Sequence, residues 1–196
     1  MFITFEGIDG AGKTTQAKYI KEFLENHGYR VMLTKEPGGT KFGEKIRNIL
    51  LTEEMDGYSE FLLFAADRNM HVKTLIKPKL EEGYIVISDR FAESSIAYQG
   101  YGRGVNLDFI ERVHNEILLN TYPDLIFIID IPVEVALNRL ESKDRIEKSG
   151  EDFLKRVRDG YLKIASLNKN CIIINGELKK ESISENILKI LLDRLK

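Results

Sequence analysis

Residues 7–14 read Gly-Ile-Asp-Gly-Ala-Gly-Lys-Thr, a match to G-x-x-x-x-G-K-[ST], and no other segment of the chain narrows the possible folds so far. A loop of this kind needs a strand directly before it and a helix directly after it. Both are present: residues 2–5 form an apolar, β-prone run, and Ala17, Ile20 and Leu24 recur at helical spacing until Gly28 offers a stop. The glycines let the backbone curl so that successive N–H groups and the positive end of the helix face phosphate oxygens. Lys13 is spaced to reach the outer phosphates of a nucleotide, and Thr14 to offer its hydroxyl to Mg2+. The expected nucleotide contacts are Gly7, Ile8, Asp9, Gly10, Ala11, Gly12, Lys13, Thr14 and Thr15.

The rest of the chain repeats the strand-then-helix pattern. Short apolar runs at 31–34, 84–88, 125–129 and 171–174 alternate with segments of helical period at 46–51, 59–80 and 107–119. A further helix is expected to begin at Pro132. A last one carries the stripe Ile183, Ile187, Ile190 or Leu191, and Leu195. The fold class is therefore α/β, a three-layer P-loop NTPase fold with a five-stranded parallel sheet flanked by helices. With 196 residues the chain has room for one core, so residues 1–196 are expected to form a single domain. The stretch at about 140–152 is rich in charge and poor in apolar anchors, which predicts a short mobile lid.

Charge and composition exclude other classes. Lys and Arg total 29 against 31 Asp and Glu, without the basic excess of a nucleic-acid binder, although a local cationic cluster remains compatible with one small anion. One cysteine, Cys171, makes no internal disulfide. No segment approaches the roughly 18 apolar residues of a membrane span and the N-terminus has no signal-like run, so a cytoplasmic location is expected. The guanine-reading Asn-Lys-x-Asp is absent too: the nearest string, Asn168-Lys169-Asn170-Cys171, lacks the acid.

A second half of the site is legible at residues 85–90, where an apolar run ends in Asp89 and Arg90. The C-terminal edge of a parallel strand is where ligands gather; Asp89 could hold Mg2+ there and Arg90 could clamp an anion. Together with Glu36-Pro-Gly-Gly-Thr40, Phe64-Ala-Ala-Asp-Arg68, Asp89-Arg-Phe91 and Ser94-Ser-Ile-Ala-Tyr-Gln-Gly100, the loop resembles that of the bacterial thymidylate kinases. The resemblance runs from Phe2 to about Tyr161.

What the resemblance implies is transfer of the γ-phosphoryl group of ATP to dTMP with Mg2+, in a protein that commonly forms homodimers. Because the acceptor is itself an anionic phosphate, catalysis needs alignment and cations more than a strong base. By the same resemblance Phe64 stacks on thymine and Arg68 donates to a thymine carbonyl. Ser95 and Gln99 lie near the base edge, and Tyr98 packs against C2′ of the sugar. Arg90 and Arg47 hold the acceptor phosphate, although Arg47 also reads as a solvated helix residue. Asp9 accepts from the sugar 3′-hydroxyl, Glu36 orders water or metal near the acceptor, and Arg139 lies over adenine. Gly10 follows Asp9 where some members carry a basic residue, so the transition-state cation is assigned to the lid, to Arg145 or Lys143. In the helix beyond the lid, Arg156, Arg158 and Tyr161 are expected to approach the nucleotide, and the Asn175-Gly176 turn to meet adenine. His27, His71 and His114 fall outside the motifs and read as helix-surface or packing residues. Two alternatives stay open: a P-loop kinase for another nucleotide or small metabolite, and a non-catalytic nucleotide switch.

Overall fold

The computed structural model of the chain describes residues 1–139 and 150–195. Five strands, β1 (Phe2–Glu6), β2 (Val31–Lys35), β3 (Ile85–Asp89), β4 (Leu125–Asp130) and β5 (Cys171–Asn175), make one sheet in the order β2-β3-β1-β4-β5. Every pairing is parallel. Such a sheet needs cover on both faces, and the central strands are accordingly apolar on both: Phe2 and Val86 face one hydrophobic cluster, Ile3, Phe5 and Ile87 the other. β1 lies at the middle, where strand order reverses, and a crevice opens beyond its C-terminal edge.

The helices are α1 (Lys13–Asn26), α2 (Lys41–Thr52), α3 (Gly57–His71), α4 (Lys77–Glu81), α5 (Ala92–Ser95), α6 (Leu107–Ile117), α7 (Val133–Arg139), α8 (Glu151–Leu167) and α9 (Lys180–Leu195). The helix expected over 59–80 is present, but a wide π turn at Val72–Ile76 divides it into α3 and α4. That turn falls just before Pro78, whose missing N–H and ring interrupt an α ladder. A second π segment, Ile96–Gly102, continues α5 and carries Tyr98 and Gln99. Of the lid expected at about 140–152, residues 140–149 lie outside the described residues, while Glu151 and Asp152 already belong to α8. These two acids stand in its first turn, where the helix dipole favours them.

Candidate nucleotide site

The loop from Gly7 to Gly12 joins β1 to α1 and is shaped by left-handed backbone at Gly10 and Gly12. A side chain at Gly7 would stand 2.4 Å from the carbonyl oxygen of Ile129, so the close approach of loop to β4 admits glycine alone. Helices α2 and α3 are capped by Thr40 and Asp56, whose side chains accept N–H groups of the first turn. Helix α1 has no side-chain cap among the described residues and no acid in its first turn, so its N–H groups and positive end stay available to an anion. Ile8 and Ala11 turn their side chains into the core, which leaves backbone as what they offer a ligand.

A cavity of about 530 Å³ opens over this loop, lined by Asp9, Gly10, Gly12, Lys13, Thr14 and Thr15 and, from other elements, by Glu36, Arg47, Asp89, Arg90 and Arg139. Lys18 and Lys35 bring its cations to six against the three carboxylates of Asp9, Glu36 and Asp89, so a chain of near-zero net charge carries one locally basic cleft. The Thr14 hydroxyl donates to the Asp89 carboxylate, so the two expected metal-holding oxygens touch. Lys13 is buried and its Nζ donates to the Ile8 carbonyl at 2.9 Å, with Asp9 at 3.7 Å. Burial and the Arg90 charge push its pKa down against the pull of Asp9 and Asp89. Arg139 joins the two sides of the cleft by donating to the carbonyls of Gly10 (3.3 Å) and Gly176 (3.2 Å).

A second cavity, of about 90 Å³, lies beside the first and is lined by Pro37, Leu51, Phe64, Ser94, Ser95, Tyr98 and Gln99. Asp9, Glu36, Arg47 and Arg90 line both. At this junction Arg90 pairs with Asp9 and donates to Tyr98 Oη (3.1 Å), Gly7 O (3.1 Å), Ser94 Oγ (3.0 Å) and Tyr161 Oη (3.1 Å). Tyr98 Oη donates to the other Asp9 oxygen at 2.7 Å. Burial would raise the Asp9 pKa, but the Arg90 and Lys13 cations and the Tyr98 hydrogen bond hold it well below the usual carboxylate range. Arg47, half-buried, donates to the Pro37 carbonyl at 3.1 Å and lines both cavities.

Two expectations need correction. Arg68 is 1% exposed and does not line the cavity; its fork donates to Glu36 Oε2 (2.8 Å), Ser95 Oγ (2.9 Å), His114 Nε2 (2.9 Å) and the Phe91 carbonyl (2.9 Å), so it holds the wall from behind. Arg156 donates to the Gly102 carbonyl and Arg158 pairs with Asp130 at 2.7 Å, both away from the cavities; of that group Tyr161 alone reaches the junction. Of the histidines, His71 and His114 take the packing reading: His71 bridges Thr34 (2.7 Å) and Glu36 (2.9 Å), and His114 accepts from Arg68. Burial and the Arg68 charge push His114 down to about 2, so it stays neutral. His27, by contrast, stacks on Phe23 at the surface. Arg145 and Lys143 lie outside the described residues.

The sequence reading passed over a buried layer beneath the site. Glu6, at the end of β1, accepts from the Phe91 N–H (2.7 Å), Ser94 Oγ (2.6 Å) and Tyr161 Oη (3.1 Å). Asp67 accepts the Gly38 N–H at 2.9 Å and so fixes the 36–40 loop. Their one available signal was a charged residue inside an otherwise apolar run, which does not distinguish a buried acid from a solvated one.

Glu93 belongs to the same layer, 7% exposed and with Oε2 unpartnered among the described residues. Burial, aided by the Glu6 charge, pushes it up to about 8 from an ordinary 4.5. The folded chain therefore holds a proton that the unfolded chain releases. Its contribution to stability is complete below pH 4.5 and is lost as pH rises through about 8. Glu93→Gln keeps the neutral shape without the titration. Thermal melts are expected to show a smaller loss of Tm from pH 5 to 8 in the variant than in the wild type; equal slopes would refute a proton on Glu93.

Residues 5–187 match the family model described as thymidylate kinase. The chain is 47% identical to the thymidylate kinase of Fervidobacterium nodosum over 97% of its own length and 98% of the relative's. It is 46% identical to that of a Sulfurihydrogenibium species over 100% and 96%. Among solved structures, the thymidylate kinase of Ehrlichia chaffeensis superposes with a TM-score of 0.84 at 39% identity, covering 97% of this chain and 98% of that one.

Proposed function

The chain belongs to the thymidylate kinase family, and from that premise we propose how its residues divide the transfer of the ATP γ-phosphoryl group to dTMP. The observation that carries the reading is the pair of adjoining cavities with Asp9, Glu36, Arg47 and Arg90 common to both. The larger, over the glycine loop and α1, takes the ATP phosphates; the smaller, walled by Phe64, takes the base and sugar of dTMP. The four shared residues stand where the two phosphates meet.

Lys13 and the free N–H groups of α1 hold the β and γ phosphates, and Arg139 covers adenine. Arg90 and Arg47 hold the acceptor phosphate in line with the donor and offset the repulsion between two anions. Asp9, kept ionised, accepts from the sugar 3′-hydroxyl and orients Arg90, while Tyr98 fills the space beside C2′. Phe64 offers a stacking face, Ser95 and Gln99 meet the base edge, and Glu36 orders water near the acceptor. Arg145 or Lys143, both outside the described residues, is assigned as a further cation toward the transferred group. Mg2+ takes one or two protein oxygens and fills its shell with phosphates and waters, a demand that the adjacent Thr14 hydroxyl and Asp89 carboxylate fit. When bound it would neutralise negative charge on the nucleotide phosphates.

We further assign a homodimer through α3 and α6. Tyr58 and Leu62, one turn apart on α3, are 48% and 49% exposed, and Phe109, Val113 and Ile117 line a groove on α6. No described helix is long and apolar enough to cross a membrane, and we place the reaction in the cytoplasm. One preparation tests the reading. Sedimentation is expected to give twice the 22.5 kDa chain mass. Coupled ADP release with dTMP, dUMP, dCMP, AMP, GMP or no acceptor should be led by dTMP and abolished by EDTA. Turnover led by another acceptor would overturn the base-pocket assignment, a single-chain mass the dimer, and turnover in EDTA the metal role.

A further inference from the structure

Two buried charges stand behind the smaller cavity. Glu60, Phe64 and Arg68 recur every fourth residue on α3 and share one face; Ser95 and Gln99, also four apart, share a face of the helical segment opposite. The two faces meet in two rungs. In one, Arg68 Nη1 donates to Ser95 Oγ at 2.9 Å; in the other, Gln99 Nε2 donates to Glu60 Oε1 at 2.9 Å. Glu60 is fully buried and also pairs with Arg103 at 3.5 Å.

The chemistry of these charges fixes polarity. A guanidinium only donates, so Ser95 Oγ must accept from it and keeps its own hydrogen to give elsewhere. A carboxylate only accepts, so the Gln99 group turned to Glu60 is the NH2, and the amide oxygen is the end left for the cavity that Gln99 lines. The wall therefore presents a donor at Ser95 beside an acceptor at Gln99. The edge of thymine offers the complement, a carbonyl next to a ring N–H; cytosine offers the reverse, an NH2 group next to a bare ring nitrogen.

We propose that Glu60 is a positioning residue for base specificity: it locks the Gln99 amide with its oxygen toward the base, so that the site accepts a pyrimidine with a ring N–H and rejects cytosine. The proposal rests on the assignment of the base to this cavity. A mismatched base would leave both its own polar groups and those of the wall unpaired and buried, which is the arrangement that rejects analogues most strongly. Gln at position 60 can donate as well as accept, so Glu60→Gln frees the Gln99 amide to turn over.

The test is kcat/KM for dTMP and for dCMP in the wild type, Glu60→Gln and Gln99→Ala. The expected result in Glu60→Gln is a rise in dCMP turnover with a fall in dTMP turnover, lowering the dTMP to dCMP ratio about 10- to 100-fold. A merely structural role would lower both rates together and leave the ratio unchanged, and that outcome overturns the proposal. Gln99→Ala separates the two levels. If it leaves the dTMP KM unchanged, the base does not meet Gln99 and the pocket assignment fails. If it raises KM while Glu60→Gln leaves the ratio unchanged, the role of Glu60 alone fails. Because Glu60→Gln takes the carboxylate away from the Arg103 cation, folding is checked by thermal melting. The double variant Glu60→Gln/Arg103→Gln, neutral at both positions, carries the same test should the single variant unfold.

Discussion

Lys13→Ala is expected to lower kcat for dTDP formation by about 10²–10³-fold, the loss that follows removal of one preorganised cation or donor from a site where charge moves during the reaction. The size follows from where Lys13 is held. It is buried at the first residue of α1, with Nζ 2.9 Å from the Ile8 carbonyl, so it is already fixed inside the loop and needs little reorganisation to meet a phosphate. Alanine is a good helix former, and Asp9 keeps Arg90 as its ion-pair partner, so the fold is expected to persist with a change of only a few degrees in Tm. Rapid-quench measurement of dTDP with a parallel melting curve checks both halves. A variant that loses activity by unfolding would remove the catalytic assignment, and one that turns over at the wild-type rate would do the same.

How far the site could be read in advance depended on whether its residues act locally. The glycine loop, Lys13 and Thr14 form one contiguous string whose spacing is its mechanism, and the strand-end placement of Asp89 follows from the topology of any parallel sheet. The central strands β1, β3 and β4 were equally legible, because they are apolar on both faces and stand out as runs. The second layer was not legible. Glu60, Asp67, His71 and His114 lie on helices where a solvated charge and a buried one share the same letter and spacing; burial is decided by what the opposite element brings, here Gln99, Gly38, Thr34 and Arg68. Arg68 illustrates the same point from the other side. Its helical offset from Phe64 is as expected, yet Glu36 and His114, distant in sequence, draw its fork behind the wall. The divided helix at Val72–Ile76 escaped for a related reason, since apolar periodicity runs on through a π turn that adds one residue.

Arg90→Ala is expected to cost more than Lys13→Ala, because under the proposed assignment Arg90 serves the reaction and the architecture at once. Its guanidinium ties the glycine loop at Gly7 and Asp9 to Tyr98 on the π segment and to Tyr161 on α8, so three elements lose a shared partner together. Acceptor-phosphate binding and alignment should both fail, giving a fall in kcat/KM of about 10³-fold or more. Arg90→Lys keeps the charge but not the planar fork that meets five oxygens, and should recover little. Stability responds as well. In the wild type Asp9 titrates below its ordinary 3.8, so its contribution is fully present above that pH and is lost as pH falls through the depressed folded value. Without Arg90 that contribution shrinks, and the variant should melt several degrees lower at neutral pH, with a shallower dependence on acid below pH 4. The backbone supplies a control, since Arg90 sits at φ 74°, a left-handed conformation that costs any side chain about 1–2 kcal/mol and glycine almost nothing. Arg90→Gly removes the guanidinium without that cost. It should therefore melt above Arg90→Ala while remaining as inactive, and activity in the glycine variant would show that the guanidinium is dispensable.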